Sequence, residues 1–164
     1  ARELGVALAD AAAGIARMPQ PPMRSAVEPL GDALLLNDAY NANPGSARAA
    51  LELLTAVGAN RQRVAVLGTM RELGETSAQL HREVARAALA GGADIVAGIG
   101  EFRAALQVVG AGDPRVVIAS DVDDLWPVLQ PRLHANAAIL LKASRGVRLE
   151  RLLPYLIAWA TPTT

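Results

Sequence analysis

Five short, unbroken apolar stretches, separated by segments of helical periodicity, constrain this chain more than any other feature. They lie at 33–37 (ALLLN), 63–67 (RVAVL), 94–98 (DIVAG), 115–119 (RVVIA) and 137–141 (AAILL). A strand with one face in water alternates apolar and polar residues; these stretches do not, so both of their faces are covered. Between them, residues 45–58, 76–90, 101–108 and 121–130 read as helices, with another near 147–153. Strand and helix in alternation, with short links, predict parallel strands joined by right-handed crossovers. The expectation is an α/β fold: a three-layer Rossmann-like domain with a mainly parallel sheet of about five to six strands flanked by helices. Hydrophobic residues make up 52% of the chain but aromatics only 3%. Ala, Leu and Val must therefore fill the core, which suits helices lying close on a sheet.

The segment ends agree with this reading. Pro44-Gly45-Ser46 opens one helix and Gly91-Gly92 closes another. Asp121, with Asp124 in the following turn, has the chemistry of a cap. The first nineteen residues predict a helix, with Leu4, Ala7, Leu8, Ala11 and Ile15 at helical spacing, stopped by Pro19, Pro21 and Pro22. That segment carries acidic residues and lacks the basic-then-apolar order of a signal peptide. No apolar run approaches the ~18 residues that span a bilayer. The absence of cysteine excludes disulfide scaffolds, thiolate metal sites and cysteine nucleophiles. With only His81 and His134, a histidine metal cluster is disfavoured too. Sixteen basic residues balance sixteen acidic ones, without the basic excess of a nucleic-acid-binding domain. A cytoplasmic protein with no membrane span and no nucleic-acid partner is expected.

Ligands of an open parallel sheet bind beyond the carboxyl ends of its strands, and the unusual residues of this chain collect there. The first predicted strand runs into Asn37-Asp38-Ala39-Tyr40-Asn41-Ala42-Asn43-Pro44. A carboxylate at Asp38 can accept two ribose hydroxyls, while Tyr40, Asn41 and Asn43 offer a flat face and amides suited to a purine edge. Turn chemistry explains the same residue types, since Asn and Asp satisfy their own backbone. After the last strand, Lys142, Ser144 and Arg145 combine two cations with a hydroxyl and helix-start amides, as a carboxylate or phosphate pocket would. Lys142 is the only lysine, against fifteen arginines. Arg24, beyond the proline-rich linker, is a further candidate phosphate or ribose contact. His81 reads as a capping or ion-pairing residue. The chain has no Walker A motif, because Lys142 follows Leu141 rather than glycine. Gly98-Ile99-Gly100 begins a dinucleotide fingerprint, but Arg103 stands at its third glycine.

Three segments, NDAYNANPGS (37–46), AVLGTMRELGETSAQLHREV (65–84) and LLKASRG (140–146), resemble the C-terminal domain of the Mur ligases. Within that family they resemble the branch that joins D-alanyl-D-alanine to UDP-N-acetylmuramoyl-tripeptide. The resemblance implies that 23–164 is such a domain, and that 1–22 is the tail of a central ATPase domain with its linker. It implies an ATP-dependent ligase of peptidoglycan precursor synthesis, working through an acyl-phosphate with ATP and Mg2+, both bound mainly by the central domain. By the same resemblance, Arg24, Asp38, Tyr40, Asn41 and Asn43 face the nucleotide, and Lys142, Ser144 and Arg145 face the dipeptide. No catalytic or metal-binding residue is expected in this chain, which should be inactive without the N-terminal and central domains. Two positions depart from the family pattern: Thr69 replaces an acidic residue, and Ala143 a glycine. A sibling Mur ligase adding a single amino acid, a Rossmann-type nucleotide-binding module or NAD-dependent enzyme, and a ligand-free interaction domain remain the alternatives.

Overall fold

A computed structural model of the chain describes residues 25–161, together with Met23 and four positions nearer the N-terminus, Ala7, Ala9, Asp10 and Ala13. Apart from those positions, the helix predicted over 1–19 lies outside the described residues, as does Arg24. The domain is a six-stranded sheet in the order β1-β2-β6-β3-β4-β5. Its strands are β1 (Ala26–Leu30), β2 (Ala33–Asp38), β3 (Arg63–Leu67), β4 (Ile95–Gly98), β5 (Val116–Ile118) and β6 (Ala138–Lys142). All neighbours are parallel except β1 and β2. Among residues 25–161 the helices that accompany them are α1 (Pro44–Val57), α2 (Ser77–Ala90), α3 (Glu101–Val109), α4 (Val122–Leu129) and α5 (Leu153–Ala160).

The unbroken apolar strands have the covered faces they require. On one face, Leu36, Ala65, Leu67, Val96 and Leu140 meet Ala47, Ala50 and Leu54 of α1, Val84, Ala85 and Ala88 of α2, and Phe102 and Leu106 of α3. On the other, Leu35, Val64, Val66, Ile139 and Leu141 meet Val122, Leu125 and Leu129 of α4, and Leu149, Leu152 and Leu156. Alanine on the sheet-facing side of α1 and α2 lets both helices sit close, which is how a core so poor in aromatics fills.

Glycine allows a close approach between β4 and α3. A Cβ on Gly98 would come 2.6 Å from Leu106 Cδ1 and 3.0 Å from the Phe102 backbone carbonyl. Gly100, at φ 60, turns the chain into α3 with Thr69 Oγ1 packed where its side chain would be. The fingerprint-like Gly98-Ile99-Gly100 is thus accounted for by the packing of a strand-to-helix turn. A Gly98→Ala substitution is expected to destabilise the domain by about 1–3 kcal/mol through overpacking. Thermal unfolding followed by circular dichroism measures this; an unchanged midpoint would mean that α3 can slide outward at no cost.

Three features differ from the sequence expectation. The edge strand β1 comes as an addition, because Pro29 interrupts a run that otherwise reads as a strand. Proline is tolerated there because an edge strand need not donate on its outer side. Leu30 pairs with Ala33 across the two-residue turn Gly31-Asp32, with Gly31 at φ 58. Next, β2 and β6 each run one residue further than expected, so Asp38 and Lys142 belong to strands. Finally, the helix expected over 147–153 resolves into 3-10 turns at Arg145–Val147 and Leu149–Leu152, and α5 then starts with Pro154 in its first turn. Among the described residues no helix is long and apolar enough to cross a membrane.

Candidate functional site

The chain leaves β2 for α1 on one face of the sheet, and leaves β6 for α5 on the other. This divergence opens a crevice at the carboxyl ends of two adjacent strands, where open α/β sheets place their ligands. Asp38 and Lys142 are register partners across that pair of strands. Register partners point to the same side, here toward α1, and the two side chains meet: Lys142 Nζ lies 2.5 Å from Asp38 Oδ2. The pair is deeply covered, with Asp38 8% and Lys142 2% exposed.

Lys142 Nζ also donates to the backbone carbonyl of Asn41 at 2.6 Å, and Asp38 Oδ1 accepts from the Ser25 amide at 3.1 Å. Two of the three ammonium donors therefore have oxygen partners among the described residues, and each carboxylate oxygen keeps accepting capacity. Above the pair opens a cavity of about 430 Å³, lined among others by Ser25, Asp38, Asn41, Asn43, Leu53 and Lys142. Asn43 caps α1: its Oδ1 accepts from the Ser46 amide at 2.8 Å, and its own amide donates to Ser46 Oγ at 3.1 Å. The cap fixes the Asn43 side chain at the cavity mouth and leaves its amide NH2 as donor.

The structure thus regroups the predicted residues. Asp38, Asn41 and Asn43 share one cavity, and Lys142 joins them instead of Ser144 and Arg145. Tyr40 goes the other way: the Arg145 guanidinium lies 5.5 Å over its ring, and its carbonyl accepts from the Arg145 amide at 2.9 Å. Ser144 is a bracing residue, 5% exposed. Its hydroxyl accepts from the Arg71 amide at 3.0 Å, and its own amide donates to the Thr69 carbonyl at 3.1 Å. The helix-start amides expected at Ser144 and Arg145 are consequently engaged by the protein. The Tyr40 amide donates to Met23 O at 3.2 Å, so Met23 and Ser25 are both tied to this loop.

Sequence reasoning counted the loop after β3 toward the family resemblance but placed no site residue in it. It is braced by His81, which is wholly buried. The ring accepts from the Met70 amide at Nε2 (2.9 Å), while Nδ1 faces the Ser77 carbonyl at 2.8 Å. Those partners require the Nδ1–H tautomer. Ser77 Oγ donates to Glu101 Oε2 at 2.6 Å, and Thr69 Oγ1 accepts from the Glu101 amide at 3.0 Å, joining the loop to α3. A signal for this did exist, because His81, Val84, Ala85 and Ala88 occupy one buried helical face. The replacements at Thr69 and Ala143 also find their reasons: Thr69 anchors α3, and the Ala143 side chain fits because Gly68 opposite has none, a Cβ there coming within 2.9 Å. The Asp113 carboxyl, held below its ordinary value by hydrogen bonds from Arg115, sits before β5 at the opposite end of the sheet.

A mostly parallel six-stranded sheet flanked by helices, with a polar crevice at its switch point, defines an α/β domain of Rossmann type. This chain belongs to the family described as Mur ligase, glutamate ligase domain, whose profile matches residues 24–145. Among curated relatives it is 38% identical over 159 residues to UDP-N-acetylmuramoyl-tripeptide–D-alanyl-D-alanine ligase of Treponema pallidum, covering 95% of this chain. It is 31% identical over 157 residues to the enzyme of that name from Bacillus subtilis, covering 93%. In both cases the chain spans only 34% of the relative's length, about a third. Among solved structures it resembles MurF from Acinetobacter baumannii, with TM-score 0.81 and 28% identity over 94% of this chain and 34% of that one. MurF ligase from Thermotoga maritima in complex with ADP gives TM-score 0.71 and 27% identity over 97% and 35%.

Proposed function

We propose that this chain is the C-terminal domain of an ATP-dependent ligase that joins D-alanyl-D-alanine to UDP-N-acetylmuramoyl-tripeptide in the cytoplasm. In this reading residues 23–164 form the closing domain, and 1–22 the tail of the ATPase domain that precedes it. The observation that carries it is the convergence of Asp38, Asn41, Asn43 and Lys142 on one cavity at the switch point of β2 and β6. Support comes from the family match, from relatives bearing that enzyme's name, and from a relative solved with ADP.

Asp38 accepts the ribose hydroxyls, its carboxylate held by Lys142 and the Ser25 amide. Asn41 and the free NH2 of Asn43 face the base, and Arg24 is assigned to the nucleotide by its match to the family arginine. Tyr40 and Arg145 form the rim toward the dipeptide, with Ser144 fixing the loop beside them. The dipeptide amine attacks the acyl carbon of the activated tripeptide and expels phosphate. Closure of this domain excludes the water that would otherwise hydrolyse that intermediate. Among the described residues there is no group of three or more His, Asp or Glu able to hold a metal ion. The one carboxylate of the cavity already pairs with Lys142, so these residues do not fit a Mg2+ site. In this proposal Mg2+ arrives with the nucleotide on the central domain.

The test is ADP release by the full-length ligase carrying this domain, given UDP-muramoyl-tripeptide and a panel of amino acids and dipeptides. Turnover is expected with D-alanyl-D-alanine and not with single amino acids. Turnover driven by a single amino acid would move the chain to a sibling branch.

A further inference from the structure

Arg71 belongs to neither group of predicted residues, yet the chain goes to some length to place it. Its amide donates to Ser144 Oγ at 3.0 Å, and its Nη2 donates to the Gly146 carbonyl at 3.2 Å. The guanidinium lies across Gly146 itself, where an added Cβ would come 2.3 Å from Cζ and 2.4 Å from Nη1. The glycine that closes the LLKASRG segment is therefore what admits the Arg71 side chain. The next residue, Glu72, is held at φ 65, a left-handed conformation that a non-glycine residue adopts only where its surroundings impose it. The preceding residue, Met70, is pinned through its amide to buried His81. An exposed arginine rarely has its backbone fixed on both sides and its guanidinium seated on a glycine.

The charge around it is unbalanced. Lys142, the neighbouring buried cation, is paired with Asp38. Neither Arg71 nor Arg145 has a carboxylate within ion-pair distance among the described residues. One guanidinium is seated on Gly146 and the other lies over Tyr40, so two uncompensated arginines flank a single turn. They stand where the β3 and β6 loops meet, whereas the cavity that holds Asp38 lies on the β2 side of β6. A guanidinium presents paired N–H donors in a planar fork that matches a carboxylate.

We infer that Arg71, together with Arg145, receives the terminal carboxylate of the incoming amine substrate and selects for a free acid at that end. The inference rests on the ligase reading given above. A dipeptide zwitterion has one anionic group, so clamping it leaves the amine as the end that can reach the acyl carbon. Arg71 is then a specificity residue for the nucleophile, separate from the nucleotide cavity.

The test compares D-alanyl-D-alanine with its C-terminal amide as substrates of the full-length ligase. The wild type is expected to favour the acid in kcat/KM. In Arg71→Leu the KM for the acid should rise about 10- to 100-fold, the range for loss of one hydrogen-bonded charge contact. The acid-to-amide ratio should fall toward one, with Arg71→Lys keeping part of it. Gly146→Ala, which displaces the guanidinium without deleting it, should move the ratio in the same direction. An acid-to-amide ratio that survives Arg71→Leu overturns the inference and leaves the ligase reading intact. A parallel rise in the KM for ATP would also overturn it, by assigning Arg71 to nucleotide phosphate. Absence of turnover by the wild type with either dipeptide would remove the ligase reading, and this inference with it.

Discussion

Replacing Asp38 with alanine is expected to lower the unfolding free energy by about 3–5 kcal/mol, because it leaves the Lys142 ammonium buried with no counter-charge. Stabilities of whole domains are only about 5–15 kcal/mol, so this single change removes a large part of the total. The loss arises from the environment of Lys142, 2% exposed at the end of β6 and opposite Asp38 of β2. Deleting both charges and keeping the volume, as in Asp38→Leu with Lys142→Met, should be milder than the single change, since no orphaned charge remains. Urea unfolding followed by far-ultraviolet circular dichroism measures both variants. A loss under about 1 kcal/mol for Asp38→Ala would mean that the Asn41 carbonyl and water suffice for the ammonium, and that the ion pair is a feature of ligand binding alone.

His81→Phe should cost about 1–3 kcal/mol, although the ring it introduces is flat and fills similar space. The substitution leaves the buried Met70 amide without an acceptor, and it removes the ring's second contact, to the part-buried Ser77 carbonyl, which keeps its helical backbone donor. Its effect is local as well as global. The amides of Met70 and Arg71 should exchange with solvent faster than the β3 amides by more than the overall loss of stability explains. Amide exchange read by mass spectrometry or NMR gives the comparison. Equal loosening of loop and sheet would show that His81 acts only by filling space against Phe102, whose ring centroid is 4.8 Å away.

Much of this architecture was legible in the residues because both determinants act locally. Unbroken runs such as RVAVL and AAILL report coverage on two faces whatever the topology, and Pro44, Gly91 and Asp121 mark helix ends through their own backbone chemistry. The edge strand β1 was not legible, since its pairing depends on a neighbour and Pro29 removes the usual run of strand formers. The site divides along the same line. Asp38, Asn41 and Asn43 are close in sequence and converge as a loop must. Lys142 could not be assigned to them from spacing, because its partnership with Asp38 comes from the register of two strands far apart in the chain. Ser144 illustrates a further limit: a hydroxyl beside two cations looks like a ligand contact until the Arg71 amide is seen to use it. His81 sat on a readable helical face, but its role depends on where the loop after β3 lies.

The position of β6 has a consequence for how the domain is assembled. Of the six described strands it comes last in the chain, and it fills the middle of the sheet, between β2 and β3. Residues 33–118 can form helices and the β3-β4-β5 half as they emerge, but β2 then has no parallel neighbour and Asp38 no cation. The hydrogen bond from Lys142 to Asn41 closes a separation of 101 residues, a non-local contact of the kind that slows folding. Until that strand arrives, two apolar strand edges stay open to any chain that can pair with them. The Asp38–Lys142 cavity and the protection of those edges therefore appear in a single late step, so an incompletely translated chain would both lack the cavity and be prone to aggregate.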